Sequence, residues 1–318
     1  MMENRCLYCY QLIEETSNLT SLISFHTSCS KKFFGATTPP IIDFEESQLA
    51  DLAEKIIQGQ KTVTGVQPKL SLGLTSNINQ PKRLTIVGLL GAYILKPQTE
   101  EYVFLPENED LTMHLATLSK LQTVPHTLIK LPSGNKAYLT KRIDRKNGLK
   151  VHMEDMCQLT ERLTEQKYQG SYEQIANVIK KYSINPMLDL INFYELVLFC
   201  FLTGNNDMHL KNFSLINEGF GYILCPAYDL MATQLILEDD NEDLALHLNG
   251  KKKKIKKDDF IIAMKAAGIE QKVIDNIFVK FNKLIQNWFN FIEVSFLSEE
   301  LKMKYIELIK MKVTQIEL

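Results

Sequence analysis

The feature that most constrains this chain is a long apolar segment followed at once by a polar one. Residues 189–202 read DLINFYELVLFCFL, a nearly continuous apolar run that is too long for a typical strand. Gly204 ends the run, as glycine often ends a helix. A helix that is apolar on all sides is buried. The sequence therefore predicts a buried helix, and the polar run GNNDMHLKN directly after it requires an explanation.

That polar run places Asp207 and Asn212 five positions apart. A protein-kinase catalytic loop uses this spacing for its base and for one metal ligand. The alternative is an ordinary helix stop, in which Gly204 and the asparagines satisfy the terminal carbonyls. Further along, NFSLIN and GYILCP predict a hairpin, and Asp229 follows it where kinases carry their second metal-binding Asp.

Three upstream segments complete a kinase-like set. Lys96 lies at the end of the strand-like run YILKP, which is the layout of the strand lysine that contacts nucleotide phosphates in kinases. The alternative is a strand-end lysine that is simply solvated. Glu107 and Glu109 begin the next predicted helix, where they suit the helix dipole or pair with Lys96, and Glu109 is the favoured partner. Residues 62–69 form a hydroxyl-rich turn whose backbone amides could cradle phosphate, with an ordinary turn as the alternative.

The pattern along the chain predicts an α+β architecture. Between residues 62 and 140, the runs LSLGL, LTIVGLL, AYILKP and AYLTKRI predict a small antiparallel sheet. One helix after Pro106 interrupts them, with one leucine-rich face expected to pack on the sheet. After residue 152 the pattern is mostly helical, ending in two amphipathic helices near 271–296 and 298–316, the second capped by Ser298.

Composition and charge exclude several classes of protein. The chain has 36 basic and 38 acidic residues, so its net charge of -2 gives no overall field that attracts nucleic acid. The lysine-rich run at 251–257 follows Asn249-Gly250, and we expect a solvated turn there, with a nucleic-acid patch as the alternative. The start of the chain lacks the layout of a signal peptide, and no apolar run is long enough for a membrane span. We expect a cytoplasmic protein with reduced cysteines.

Cysteine and histidine cluster near the start of the chain. Two residues separate Cys6 from Cys9, in the pattern CxxC, and two residues also separate His26 from Cys29. Three sulfurs and one imidazole in two close pairs are typical of a structural zinc site with all four ligand places filled. The alternative is a set of small core or surface residues, because no glycine follows the first pair.

Taken together, these segments resemble a known family. TGVQPKLSL, YILKP, PENED, LTKRIDR, HMED, GNNDMHLKNFSLI and PAYDL occur in the order found in HipA-like toxin kinases, and LHLNGKKKKIKKDDF resembles the stretch that follows them. The resemblance covers about residues 55–315. It implies a two-lobed, protein-kinase-like fold with a small mixed N-lobe at 41–145 and a larger, mostly helical C-lobe at 146–318. The Cys/His cluster, closed by the helix-incompatible pair Pro39-Pro40, separately indicates a small appendage at 1–40.

The resemblance also implies roles for individual residues. Asp207 would be the catalytic base, and Asn212 and Asp229 would bind magnesium. The other residues implied to contact ATP are Thr64, Gly65, Val66, Gln67, Pro68, Lys69, Lys96, His209 and the adenine hinge of Lys141, Arg142 and Ile143. The family carries autophosphorylated hydroxyls in its nucleotide loop, for which this chain offers Thr62 and Thr64. A phosphate there would repel the phosphates of ATP.

Family members also suggest partners. The implied activity is transfer of phosphate from ATP to a serine or threonine of a protein, with an aminoacyl-tRNA synthetase as the expected substrate. Longer members begin with an extra subdomain, so the chain is similar to the short form HipT, whose missing piece is a separate small antitoxin-like protein. A DNA-binding antitoxin of the HipB type is a further expected partner. The competing functions are a catalytically silent kinase-like binding module and a small-molecule kinase.

Overall fold

The computed structural model describes residues 4–13, 24–42, 44, 69–75, 82–87, 91–146, 148–237 and 241–318. Within it the chain forms two compact units. The first contains residues 1–110 and 124–148, and the second contains residues 111–123 and 149–318. The predicted separation of residues 1–40 from the lobe that follows them stays a prediction.

The first unit is built on a sheet of short strands. Its elements are α1 (Thr27–Phe34), β1 (Ile41–Ile42), β2 (Leu70–Thr75), β3 (Arg83–Ile86), β4 (Tyr93–Pro97), β5 (His126–Lys130), β6 (Lys136–Lys141) and β7 (Arg145–Lys146). Among the described residues the sheet has six strands in the order β1, β3, β2, β4, β6, β5. All neighbours are antiparallel except β1 and β3, which are parallel. The predicted antiparallel sheet is confirmed, while β1 and the edge strand β5 were not predicted.

Helix α2 (Leu105–Leu118) spans the boundary between the two units. The expectation of one buried leucine-rich face was too narrow, because all nine residues at 105–113 are buried and Leu121 lies beyond the helix end. Its acidic residues are buried because each has a partner within the first unit. Glu107 accepts a hydrogen bond from Lys136 Nζ over 3.1 Å, and Asp110 Oδ2 accepts one from Tyr10 Oη over 2.8 Å. Buried carboxylates are tolerated when they are paired in this way.

The second unit is mostly helical. Its elements are β8 (Leu149–Lys150), β9 (His152–Asp155), α3 (Met156–Leu159), α4 (Tyr172–Tyr182), α5 (Pro186–Leu202), β10 (Ser214–Asn217), β11 (Tyr222–Leu224), α6 (Lys257–Ala266), α7 (Gln271–Glu293) and α8 (Glu299–Gln315). Helix α5 is the predicted buried helix, and all of its residues from 193 to 202 are buried. Pro186 occupies its first turn, where the missing N–H costs nothing. The ring of Phe199 meets Trp288 of α7 edge-on at 5.5 Å.

The predicted hairpin is present as β10 and β11, and β9 extends it to a three-stranded antiparallel sheet. Ser214 of β10 lies opposite Asp155, the last residue of β9. Asp155 then caps α3 by accepting a hydrogen bond from Gln158 N over 2.9 Å. The chain therefore enters the polar segment at 204–212 from α5 and leaves it into β10 of this small sheet.

The two predicted C-terminal helices are α7 and α8. The Ser298 side chain caps α8 by accepting a hydrogen bond from Leu301 N over 3.3 Å, as predicted. None of the helices in the described part of the chain combines the length and the apolar character that a membrane crossing requires.

The basic run at 251–257 begins at a tight turn, as predicted. Asn249 and Gly250 have φ values of 48° and 74°, the left-handed pair that suits a two-residue hairpin turn. Leu248 and Lys251 exchange backbone hydrogen bonds across it. Lys251 Nζ then lies 2.8 Å from Asp259 Oδ1, so acidic neighbours offset part of the charge of the run.

Candidate active site

The chain leaves α5 through a glycine-dependent helix stop. Asn205 N donates to Cys200 O over 2.8 Å, and Gly204 N donates to Phe201 O over 3.2 Å. These are the two bonds of a Schellman motif, which requires a left-handed residue, and Gly204 supplies it with a φ of 68°. A side chain at position 204 would also bring its Cβ within 2.6 Å of Leu308 Cδ2. The ordinary helix stop is therefore present, and the polar loop that carries Asp207 and Asn212 follows it directly.

The loop that follows is held by hydrogen bonds on both sides of Asp207. Asn205 Oδ1 accepts from Asp207 N over 3.2 Å, and Asn212 Nδ2 donates to the Asp207 carbonyl oxygen over 3.0 Å. Thr233 anchors the loop from outside, because its Oγ1 accepts from Asn206 N over 2.9 Å. An amide that donates through its nitrogen presents its oxygen as a ligand atom. Asn212 therefore can offer oxygen to a cation while it fixes the backbone of Asp207.

One aromatic side chain contacts the Asp207 carboxylate, and the His209 ring packs against it. Tyr168 Oη donates to Asp207 Oδ1 over 2.6 Å, and the Tyr168 ring meets the His209 ring edge-on at 5.0 Å. Burial lowers the pKa of His209, although the negative charge of Asp207 opposes that shift. His209 is therefore predominantly neutral at pH 7. A neutral imidazole carries no positive charge, so it would not form an ion pair that draws the Asp207 carboxylate away from an approaching hydroxyl.

Asp229 lies in the loop after β11 and has a φ of 60°. A left-handed conformation is uncommon for residues other than glycine, although aspartate and asparagine adopt it more often than most, and such conformations cluster at functional sites. The preceding residue, Tyr228, is half-buried, and its Oη contacts Ser214 Oγ at 2.5 Å and donates to Lys211 O over 3.1 Å. Tyr228 therefore ties the Asp229 loop to the segment that carries Asn212. Carboxylate and amide oxygens are ligands that Mg²⁺ accepts.

In the first unit, Lys96 and Glu109 form a buried ion pair. Lys96 Nζ lies 2.6 Å from Glu109 Oε1, and their side chains are 6% and 1% exposed. The ammonium also lies 5.5 Å from the centre of the Tyr138 ring, within the range of a cation–π contact. This confirms the predicted pairing of Lys96 with Glu109 rather than Glu107, and it excludes a simply solvated lysine.

The three predicted hinge residues follow the end of β6. Lys141 N donates to Pro125 O and Arg142 N donates to Ala92 O, each over 2.9 Å, so both amides are used within the first unit. Arg142 also pairs with Asp144 through two hydrogen bonds of 2.9 and 2.7 Å. Burial, together with the nearby charge of Lys82, lowers the pKa of Lys141.

The predicted nucleotide loop falls mostly outside the described residues. Lys69, which directly precedes β2, is described and exposed. Thr62, Thr64, Gly65, Val66, Gln67 and Pro68 lie outside the described part of the chain.

The structure brings the predicted zinc ligands together. One ligand atom from each of Cys6, Cys9, His26 and Cys29 lies within 4.8 Å of the others.

Comparison with known proteins agrees with this geometry. The model of the HipA-like C-terminal domain matches residues 62–288, which is more than half of the chain. The chain belongs to the HipA-like C-terminal domain family. The matched region contains Lys96, Glu109, Asp207, Asn212 and Asp229, but not the cysteine and histidine cluster.

Sequence relatives of this HipA-like chain carry kinase names. A Haemophilus influenzae protein named "Putative kinase" is 27% identical over 263 residues, which is 74% of this chain and 75% of the relative. A "Putative kinase" of Sinorhizobium fredii is 31% identical, but the match covers 67% of this chain and 56% of that protein. The serine/threonine-protein kinase toxin HipA of Shewanella oneidensis is 28% identical, covering 59% of this chain and 46% of the toxin. The chain therefore spans only about half the length of the Sinorhizobium fredii and Shewanella oneidensis relatives.

Solved structures support the HipA-like fold. HipA of Shewanella oneidensis MR-1, solved with HipB and operator DNA, superposes with a TM-score of 0.68 over 83% of this chain and 71% of that one, at 22% identity. The Helicobacter pylori proinflammatory kinase CtkA gives a TM-score of 0.54 over 78% of this chain and 93% of that one, at 14% identity. The predicted two-lobed, kinase-like α+β fold is therefore confirmed. The likeness to the short form HipT stays a prediction.

Two contacts near the candidate site were not predicted. Tyr168 reaches Asp207 from 39 positions earlier in the chain, and Lys211 Nζ lies 3.1 Å from Asp155 Oδ2. The surrounding sequence QKYQGSY has no periodicity that marks Tyr168 as a site residue. Only the fold reveals contacts of this kind, since the partners are distant in sequence.

Proposed function

We propose that the chain is an ATP-dependent serine/threonine protein kinase that acts as the toxin of a bacterial toxin–antitoxin system. The observation that carries this proposal is the hydrogen bond from Asn212 Nδ2 to the Asp207 carbonyl oxygen, in a chain whose relatives are named kinases. This bond fixes a carboxylate and an amide oxygen in one short loop. Phosphoryl transfer needs that pair, one to orient the attacking hydroxyl and one to hold a metal ion.

The roles of the remaining residues follow from their chemistry. Lys96, held by Glu109, would contact the phosphates of ATP, as the strand lysine of a kinase does. Asn212 and Asp229 would supply oxygen ligands to Mg²⁺, which neutralises phosphate charge when it is bound. Asp207 would accept the proton of the substrate hydroxyl and orient that hydroxyl for attack. His209, Lys69 and the hinge at 141–143 would complete the nucleotide contacts.

The metal proposal has its own measurement. If Asn212 and Asp229 hold Mg²⁺, calorimetry should show that ATP binds the wild-type chain more tightly with the metal than without it. The Asp229→Asn variant should lose most of that difference. Equal ATP affinity of the wild-type chain with and without Mg²⁺ would remove Asn212 and Asp229 from this role.

The proposed substrate and partners rest on the family. HipA of Shewanella oneidensis was solved with HipB and operator DNA, and we extend a DNA-binding antitoxin of the HipB type to this chain. The expected protein substrate is an aminoacyl-tRNA synthetase, whose phosphorylation would stop tRNA charging and arrest growth. Both ATP and synthetases are cytoplasmic, so we place the activity in the cytoplasm. The small antitoxin-like partner and phosphorylation of Thr62 and Thr64 belong to the same proposal.

One experiment separates the candidate functions. The purified chain is incubated with Mg²⁺ and γ-labelled ATP, alone and with a bacterial lysate, and the label is followed in proteins and in small molecules. A protein kinase transfers label to serine or threonine of a protein. Label in small molecules alone indicates a small-molecule kinase, and no transfer to either indicates a catalytically silent binding module.

Phosphopeptide mapping then tests the proposed regulatory phosphorylation of Thr62 and Thr64. Phosphate on the peptide that contains Thr62 and Thr64 would support autophosphorylation in the nucleotide loop. Labelled external protein with neither threonine phosphorylated would remove the regulatory part and leave the kinase assignment in place.

A further inference from the structure

The kinase proposal does not use the cysteine and histidine cluster at the start of the chain. Cys6 and Cys9 lie in one tight turn, closed by backbone hydrogen bonds of 2.9 Å from Cys6 N to Gln11 O and from Tyr10 N to Cys6 O. Tyr10 follows Cys9 with a φ of 64°, the left-handed conformation that glycine adopts most easily. The turn therefore has a knuckle shape even though the sequence places no glycine there.

The second pair of side chains is presented by a helix start. His26 directly precedes α1, and Cys29 lies in the first turn of that helix. His26 N also lies 3.4 Å from Cys6 Sγ, so its N–H points at that sulfur. Two separate segments thus direct their polar atoms to one point.

Two S···N distances in the cluster lie within about 0.3 Å of the corresponding edge of a zinc tetrahedron, and all four ligand atoms lie within 4.8 Å of one another. Zn–S bonds of about 2.3 Å and Zn–N bonds of about 2.0–2.1 Å give S···N edges of about 3.5 Å and S···S edges of about 3.8 Å. Cys9 Sγ lies 3.4 Å from His26 Nδ1, and Cys29 Sγ lies 3.8 Å from the same nitrogen. Three thiolates and one imidazole without a carboxylate form a ligand set that favours zinc over Mg²⁺ or Ca²⁺.

The other ring nitrogen of His26 selects the tautomer that a metal needs. His26 Nε2 lies 3.0 Å from the carbonyl oxygen of Leu12, which can only accept a hydrogen bond. Nε2 therefore carries the proton, and the lone pair is on Nδ1, the atom that faces the sulfurs. Metal-binding histidines use a second hydrogen bond of this kind to fix the ring.

The turn is also connected to the ion pair of the first unit. The carbonyl oxygen of Leu7 accepts hydrogen bonds from Leu128 N over 3.3 Å and Thr127 Oγ1 over 3.1 Å, both on the edge strand β5. The hydroxyl of Tyr10, which is fully buried, donates to Asp110 Oδ2 over 2.8 Å, and His126 Nδ1 lies 2.8 Å from the other oxygen of that carboxylate. Asp110 is the neighbour of Glu109, so the turn fixes the part of α2 that pairs with Lys96.

We propose that Cys6, Cys9, His26 and Cys29 bind one structural zinc ion, and that Tyr10 links this zinc site to α2 and so supports the pairing of Glu109 with Lys96. The zinc site stands on its own geometry. The effect on catalysis of the link from Tyr10 to α2 rests on the proposed kinase function. Because all four ligand places are filled by the protein, the metal has no open position for a substrate.

Metal content is the first test. The full chain, purified without added metal or chelator, should contain near one equivalent of zinc, and so should Cys157→Ser, whose buried thiol lies in α3. Cys9→Ser and Cys29→Ser should weaken zinc binding by more than the ~10–100-fold that loss of an outer-shell partner costs. A folded wild-type chain without zinc overturns the proposal. So does a Cys9→Ser variant that binds zinc as tightly as the wild type.

A thiol titration of the wild-type chain keeps the site testable if the serine variants do not fold. Cys157, Cys200 and Cys225 are buried in the second unit, so they should react slowly with a thiol reagent before and after chelation. Removal of zinc by a chelator should make three further thiols reactive. Loss of zinc with no change in the number of reactive thiols would place the metal elsewhere and overturn the proposal.

The link to α2 is tested by Tyr10→Phe against Tyr8→Phe. Both variants should keep zinc, because neither hydroxyl is a ligand. Tyr10→Phe removes a hydrogen bond to a carboxylate and should speed amide exchange at the start of α2 by about 10- to 100-fold, whereas Tyr8→Phe should not. Equal exchange rates in the two variants overturn the link. If the wild-type chain transfers no phosphate, the kinase proposal fails, while zinc content and amide exchange still decide this inference.

Discussion

Tyr168 Oη donates a hydrogen bond to Asp207 Oδ1 over 2.6 Å, and the tyrosine side chain remains 42% exposed. A phenolic hydroxyl therefore occupies an oxygen of the carboxylate that we propose as the catalytic base. A serine or threonine hydroxyl needs an oxygen of the same carboxylate in order to react. In the proposed reaction, Tyr168 would therefore compete with the protein substrate for Asp207.

Tyr168→Phe should lower the KM for the protein substrate and leave kcat and the KM for ATP unchanged. A hydrogen bond to a charged group contributes about 1.5–3 kcal/mol, so the decrease in KM can reach ~10-fold or more. Steady-state kinetics with varied protein substrate measure this. A lower kcat with unchanged KM would show instead that Tyr168 positions Asp207 for catalysis.

Removing one partner of the buried ion pair of Lys96 and Glu109 should strongly destabilise the first unit. Glu109→Gln leaves the buried ammonium of Lys96 without its countercharge, and breaking a buried pair costs about 3–5 kcal/mol. Urea denaturation should show a lower free energy of unfolding. The exposed pair of Lys304 and Glu300, 3.2 Å apart on α8, is the matched control, and Glu300→Gln should cost less than ~1 kcal/mol. Equal costs for the two substitutions would contradict the burial argument.

The local sequence predicted the elements that depend on local patterns. Helix α5 follows from its continuous apolar run, and the turn after it follows from Gly204. The hairpin of β10 and β11 follows from two strand-like runs that flank a turn. Each of these features is set by residues within a few positions of one another, where periodicity and turn propensity decide the outcome.

Features that depend on distant contacts could not be predicted. Tyr10 and Asp110 are 100 positions apart, and their hydrogen bond helps explain how an acidic helix start can be buried on all sides. Strand β5 is short and polar at both ends, so its pattern is weak, and it is defined by antiparallel pairing with β6. The sequence of α2 alone suggests one solvated face, because the partners of its carboxylates lie on other elements.

Asp243 should make the second unit sensitive to acid. Burial alone would raise the pKa of Asp243, but Lys312 Nζ, 2.6 Å away, and hydrogen bonds from Ile255 N and Gln315 Nε2 hold it below the ordinary value of 3.8. Between the lowered pKa and 3.8 the unfolded chain binds more protons than the folded chain. The contribution of the Asp243 carboxylate to the free energy of unfolding is therefore fully present above that pH window, and it is lost as the pH falls through the window.

Asp243→Asn removes the titrating carboxyl and should flatten the acid side of the stability profile. The free energy of unfolding, measured in urea at several pH values below 5, should fall less steeply for the variant than for the wild type. Asp275→Asn, on the exposed surface of α7, is the control and should keep the wild-type slope. Identical slopes for Asp243→Asn and the wild type would contradict the assignment of this group.

The most direct test of the proposed role of Asp207 is the rate of γ-phosphate transfer by Asp207→Asn compared with the wild type. We expect a loss of at least ~100-fold, the size expected when a positioned acid–base group is removed. Melting temperature should stay near the wild-type value, because the loop contacts made by the backbone of Asp207 remain. Asp275→Asn should transfer at the wild-type rate. Wild-type transfer by a folded Asp207→Asn chain would contradict the account.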